Sequence, residues 1–386
     1  MTSLIRNVVL MLVLLMPQTG VYATVKPAAI QTFANQLVDS VNRKEPEYFS
    51  ESIDKAMLSE RILADMELPA KQKEDLAAKL IEGITTVPAR LFKQMQEGDY
   101  WSVKKHYKTT DGERLLIRIN RSGLGVSFME FHVKADHEGQ YRILDWFNYA
   151  TGRLYSETAR EVVPMVQSGQ RNLLEKVFRI DRSRRKVLDT MHRINKYAQK
   201  NNYKKALQLY FELPEDVATR RQLLLYRILL ARQVNDDEYR KALATLAQYH
   251  GADASLALML MGHYVFTQNW QNAHKAVDNL IQQLGEDAAL YDLQGNIYVL
   301  EGKTNEAEVA CLRSIELEPE YVKPYWTLVM VYLGSKDYEK VAGTLKQLSD
   351  TFHYQFDPDK LVASEPYVDF GKSDAFRKWR NDMLSR

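Results

Sequence analysis

The residues with the most chemistry to offer lie near the middle of the chain. His132 and Asp145 stand on neighbouring strand-like segments, and Glu130 precedes His132 by one alternation of the strand. A His–Asp pair in an apolar pocket is a general acid/base unit, because imidazole titrates near neutrality and a carboxylate can orient it. In the expected register Glu130 is the nearest cross-strand partner of Asp145. Glu130, His132 and Asp145 therefore form the candidate ligand pocket of an alternative reading, a small-ligand-binding or acid/base enzyme site. The same residues equally suit a solvated sheet face or strand-end hydrogen bonds. The main expectation is that the chain is not an enzyme and that no residue is catalytic.

Other chemistries find no motif. The histidines His106, His132, His137, His192, His250, His263, His274 and His353 are scattered, and none makes the closely spaced pair with Glu that a zinc hydrolase helix needs. No metal and no cofactor are expected. There is no G-x-S-x-G elbow and no G-x-x-x-x-G-K-[ST] loop. Gly123-Leu124-Gly125 lies between strands without a following helix and reads as a turn. Cys311 is the only cysteine, which rules out an intramolecular disulfide. It shares an apolar helical stripe with Ala307, Ala310 and Ile315, so it reads as a buried small hydrophobe. A formal net charge of +2 on 386 residues is no nucleic-acid footprint. The basic run Arg179, Arg182, Arg184, Arg185 and Lys186 encloses Asp181 and reads as a solvated helix face, with an acidic partner or anionic lipid as the lesser reading.

Elements that would position these residues follow from composition and pattern. A chain of 386 residues exceeds one ordinary core, so two or more domains are expected. Few glycines (17) and prolines (11) fit a largely helical chain. Arg6, the apolar run from Val8 to Met16, Pro17 and the small-x-small Val21-Tyr22-Ala23 read as a signal peptide over residues 1–23. The expectation is an exported protein, periplasmic or secreted, with no transmembrane span after cleavage.

Residues 24–165 read as an α+β domain. Helical segments at 28–42, 46–60 and 69–95 precede strands at 101–108, 113–119, 125–135 and 140–147. Asp111-Gly112 and Asp136-His137-Glu138-Gly139 are hairpin turns. Met129, Phe131 and Val133 are expected to face Trp146, Leu144 and Arg142, which makes one side apolar enough to pack on the helices. Residues 166–186 connect this domain to a periodic region over 187–355. There Tyr264, Tyr298 and Tyr332 recur every 34 residues, as do Ala273, Ala307 and Val341, and Met261, Gly295 and Val329. Each unit reads as two amphipathic helices, 288–300 and 304–317 in one of them, with Gly302 between. About five units precede a capping helix within 356–386, which opens at Ser373-Asp374 with Ser373 as N-cap.

The periodic region resembles the tetratricopeptide family. Its signature places are carried by Tyr291, Gly295, Tyr298, Ala307, Cys311, Ser314 and Pro319, with Gln294 departing from the usual Leu. Further units carry Tyr325, Leu328, Tyr332 and Leu345, and Leu260, Tyr264, Ala273 and Leu280. Degenerate units hold Tyr197, Ala206, Tyr210 and Leu213, then Ala231, Tyr239, Ala242 and Leu246. The helix-then-sheet order of the N-terminal domain, with the stretch from Arg142 to Tyr149, Thr151-Gly152 and Ser156-Glu157, resembles the cone fold shared by nuclear transport factor 2 and ketosteroid isomerase.

The resemblance implies an all-α solenoid with a concave groove lined by first helices. The candidate groove residues are Asn195, Leu258, Asp292, Asn296, Val299, Trp326 and Met330, with Gly262 beside them. Met191, Ser255 and Met259 stand where a chaperone-carboxylate clamp needs basic side chains, so that activity is not implied. The functional expectation is an interaction scaffold or adaptor that binds a peptide or partner protein in the groove. The cone domain is expected to dock on the first repeat or hold a small apolar ligand. A homo-oligomer of self-associating solenoids is a third reading.

Overall fold

The computed structural model describes residues 27–64, 66, 68–93, 95–122, 125–166 and 185–384. The expected signal peptide, and most of the connecting segment with Arg179, Arg182 and Arg184, lie outside the described residues. Helices come first: α1 (Pro27–Asn42), α2 (Pro46–Ser52), α3 (Lys55–Leu63), α4 (Ala70–Thr85) and α5 (Val87–Phe92). The expected helix over 46–60 is broken after Ser52. Ile53 makes an isolated bridge to Ile143, and the Asp54 side chain accepts from Met57 N to open α3. The expected helix over 69–95 is broken at Thr86, where Pro88 enters the first turn of α5.

Five strands follow: β1 (Tyr100–Thr109), β2 (Gly112–Arg121), β3 (Gly125–Ala135), β4 (Tyr141–Asn148) and β5 (Arg153–Leu154). They form one antiparallel meander in chain order. Alternation fixes its two faces. Trp101, Ile117, Phe131 and Trp146 point to the helices and join the core of α1, α2 and α3. The rings of Phe49, Trp101, Phe131 and Trp146 fill that interior, with centroids about 6 Å apart. The expected register of the last hairpin is corrected. Phe131 does not face Leu144 but Trp146, Met129 faces Asn148, and His132 stands opposite Asp145. Glu130 faces Phe147. Val133 faces Ile143 and not Arg142, because the turn takes Gln140 as well, and a bulge after His132 then leaves Leu144 as the extra residue on β4.

After α6 (Tyr155–Val166) the described chain is helical. It comprises α7 (Arg185–Gln199), α8 (Tyr203–Tyr210), α9 (Glu215–Ala218), α10 (Arg221–Arg232), α11 (Asp236–His250), α12 (Ala257–Phe266) and α13 (Trp270–Leu284). Then come α14 (Ala288–Glu301), α15 (Thr304–Leu317), α16 (Lys323–Ser335), α17 (Tyr338–Phe352), α18 (Pro358–Val362) and α19 (Asp374–Leu384). Helices pack on their chain neighbours, α14 on α15 and α16 on α17, and α14 also packs on α16. Gly295 belongs where it is because a Cβ would stand 2.6 Å from Cys311 Sγ. Gly302 ends α14 in the left-handed conformation at φ 82°. The Ser373 hydroxyl accepts from Phe376 N at 3.1 Å to open α19, whose Phe376 and Trp379 are buried against the core of α16 and α17.

The two halves share one interface. The sheet's second face carries Leu116, Phe128 and Tyr149 into the core of the helical half. Arg118, beside them and fully buried, donates to Asp287 Oδ1 at 3.0 Å and to Glu318 Oε1 at 2.8 Å. Its guanidinium also lies 4.7 Å from the Tyr321 ring centroid. Lys104 donates to Glu318 at 2.7 Å, Lys105 to the Leu284 carbonyl, and Lys323 to the Arg121 and Gly125 carbonyls. Arg221 binds the Gly152 carbonyl at 3.0 Å. The sheet therefore rests along the turns that join successive helix pairs, not on the first unit alone.

Candidate functional site

The sheet cluster does not assemble an acid/base pair. His132 and Asp145 are opposite in register, but no hydrogen bond joins them among the described residues. Asp145 accepts from Trp146 N at 2.9 Å, Ser156 N at 3.1 Å and Ser156 Oγ at 2.5 Å. It thereby fixes the start of α6. Burial raises its carboxyl, and the bonds from Ser156 and Trp146 draw it partly back. His132 is lowered to about 4 by burial and by the positive charges of Arg114 and Arg61, so its imidazole is neutral at neutral pH. Glu130 accepts from the Tyr107 hydroxyl at 2.6 Å and lies 3.9 Å from Arg114 and 4.0 Å from His132. The aromatic core of Phe49, Trp101, Phe131 and Trp146 fills the helix side of the sheet, the face opposite Glu130 and His132.

Among the first-helix residues, Asp292, Asn296 and Thr327 are brought together. Thr327 Oγ1 donates to Asp292 Oδ1 at 2.9 Å, and Asn296 Nδ2 to the same oxygen at 3.2 Å. Asp292 is buried and Asn296 exposed. Leu258 is half-buried against the core, and Val299 half-buried beside the C-terminal cluster. Trp326 meets the edges of Tyr354 and Phe356. Met330 stays 45 % exposed. Sequence reasoning missed three companions of Met330. Leu229, Phe266 and Leu300 are 54 %, 64 % and 61 % exposed in the C-terminal halves of α10, α12 and α14. Phe266 and Leu300 obey the same 34-residue period as the tyrosine columns, and that was the signal available.

Asn195 lies apart from these, in the wall of a 420 Å³ cavity between α7, α10 and the β4–β5 turn. Its Oδ1 accepts from the Tyr226 hydroxyl at 2.8 Å. A second cleft, of 540 Å³, opens between α1, α2 and β4. Polar groups there are already matched: Tyr48 to Gln36, Arg142 to the Glu51 carbonyl, and Tyr141 to Glu113. Among the described residues no cluster of His, Cys, Asp or Glu is arranged to hold a metal ion, and no helix is long and apolar enough to cross a membrane. No family model, curated protein or solved structure matches the chain.

Proposed function

We propose that the protein is an exported adaptor of the tetratricopeptide type, whose first helices take an apolar segment of a partner protein. The observation that carries this reading is the row of exposed apolar side chains Leu229, Phe266, Leu300 and Met330 on successive first helices. Large apolar side chains left exposed on one helix after another mark an interaction site, although the Arg240 guanidinium lies 4.9 Å from the Phe266 ring centroid and covers part of it. An amphipathic partner helix meets such a row with its own spaced anchors. The cone-like domain acts as a brace, because its second face is spent on the helical half through Arg118. Two findings weigh against the enzyme alternative: the Asp145 carboxylate serves Ser156, and aromatic rings fill the domain interior.

The test places a photo-crosslinking amino acid at Leu300 in the mature protein and irradiates its native envelope fraction. Discrete covalent adducts are expected, lost when Phe266 and Met330 are both changed to Ser. Recovery of nothing above background, or adducts indifferent to those changes, overturns the adaptor reading.

A further inference from the structure

The helices α7 and α8 present a face whose charge is one-sided. Residues 186–205 carry six basic side chains, Lys186, Arg193, Lys196, Lys200, Lys204 and Lys205, and one acid, Asp189. That is +5 within a chain whose net charge is +2, so the rest of the chain totals −3. Helix periodicity gathers these charges. Lys186, Asp189, Arg193, Lys196 and Lys200 recur at intervals of three and four along α7 and are exposed, while Val187, Leu188, Met191 and Ile194 are buried in the helical core. Lys204 and Lys205, exposed in the first turn of α8, follow Lys200 across a short turn. Arg193 meets Glu212 at 3.3 Å, so the face sets six basic groups against two acids.

We propose that this face docks the protein on anionic lipid bilayers, held by charge alone. Composition argues for lipid over a protein partner. Protein interfaces are depleted of Lys and built around aromatic or apolar anchors. Here five of the six basic groups are Lys, and none of the exposed side chains of 186–205 is large and apolar. Lys is a hydrated point charge on a flexible stem, suited to a surface of smeared negative charge. The row from Lys186 to Lys200 spans about 21 Å of helix, so its charges act on one plane together. The apolar side of α7 is spent on the core and does not insert into the bilayer, which leaves electrostatic attraction as the binding force. The −3 on the rest of the chain turns this end of the molecule toward the lipid. This inference stands apart from the adaptor reading, whose contacts centre on Phe266 and Leu300.

The experiment is sedimentation of the mature chain with vesicles of phosphatidylcholine alone and of equimolar phosphatidylcholine and phosphatidylglycerol. Binding is expected only to the anionic vesicles at about 0.1 M salt, and release at about 1 M, where the Debye length has fallen from about 10 Å to about 3 Å. Each basic group near the surface is worth about fivefold in affinity, so K196E/K200E/K204E is expected to bind at least about a hundredfold more weakly. K71E/K79E/K360E makes the same change in net charge at exposed positions of α4 and α18 and is expected to keep its binding. Should the first variant not fold, K196Q/K200Q/K204Q repeats the test without new carboxylates. The proposal is overturned by absent binding to the anionic vesicles, by equal binding to the neutral ones, by binding that survives high salt or a folded variant of the face, or by equal loss in the control. Polyglutamate that binds the face as tightly as the anionic vesicles would assign it to an acidic polypeptide and overturn the proposal as well.

Discussion

Burial raises the Asp292 carboxyl to about 6, because Thr327 and Asn296 supply hydrogen bonds but, among the described residues, no ion pair reaches it. The unfolded carboxyl titrates near 4. The folded protein therefore holds a proton that the unfolded chain has released, and this group adds stability as pH falls from about 7 toward 4. His132 acts in the opposite direction over part of the same range. Its folded imidazole stays neutral down to about 4 while the unfolded one charges near 6.5, so its contribution is lost as pH falls. The whole-protein pH profile mixes the two, and only a difference between variants separates them. Asp292→Asn keeps an acceptor for Thr327 and removes the charge. Urea denaturation at pH 7.5 is expected to show a gain of about 1–2 kcal/mol, shrinking to nothing near pH 4. A constant difference at every pH would mean that the carboxylate is not held out of water.

Helix starts in the periodic half repeat one device. Asn202, Asn235, Asn269 and Asp337 cap α8, α11, α13 and α17, each side chain accepting from the third backbone N–H onward. Lys303 occupies the same place before α15 with dihedrals like those of Asn202, Asn269 and Asp337, φ −92° and ψ 77°, but makes no capping bond. Its half-exposed ammonium instead lies 2.7 Å from Glu301, a carboxylate that His274 also meets at 2.8 Å. Lys303→Asn is expected to stabilise the protein by about 1 kcal/mol, read as a raised urea midpoint. No change would show that the start of α15 already frays into solvent. The periods themselves were legible in the sequence, since Gly295 must be small opposite Cys311 and the tyrosines recur at one place per unit. Strand bounds were legible too, because Asp111-Gly112 and Asp136 to Gly139 punctuate the alternation. What was not legible is that the turn also takes Gln140, which slips the pairing by one, and that β4 bulges at Leu144, which slips it by one more; together they moved Asp145 from Glu130 to His132. The break after Ser52 was hidden for a related reason. Asp54 signals a cap, but the bridge from Ile53 to Ile143 that forces it is a long-range contact.

At the scale of the whole molecule the hidden quantity was which face of the sheet meets the helices beyond it. Nothing local in the sequence ties Arg118 to Asp287 or Glu318, 169 and 200 residues away. The tie obeys the 34-residue period nonetheless. Asp253, Asp287 and Tyr321 are spaced at that interval, and they meet Arg221, Arg118 and Arg118 respectively. Leu284 and Glu318 are spaced the same way, and both accept from lysines of β1. Successive turns thus present equivalent positions: Arg118 of β2 and the lysines of β1 engage the later ones, whereas Asp253 is held by Arg221 of α10, within the helical half. Burial alone would raise Glu318, but the hydrogen bonds and charges of Arg118 and Lys104 outweigh it and hold the carboxyl below its ordinary range. A depressed carboxyl contributes stability above its unfolded pKa, lost as pH falls through the folded value. Arg118→Ala strands two carboxylates in a half-dry interface. Removing one member of a buried pair costs about 3–5 kcal/mol, and Lys104, still 2.7 Å from Glu318 and 3.7 Å from Asp287, places the expected loss at the lower end. Amide hydrogen exchange is expected to quicken at the starts of α14 and α16 while α10 and α11 keep their protection. The variant is also expected to lose stability less steeply than the native chain below pH 4.5. An unchanged urea midpoint with unchanged exchange would show that Leu116, Phe128 and Tyr149 hold the halves together without the charge cluster.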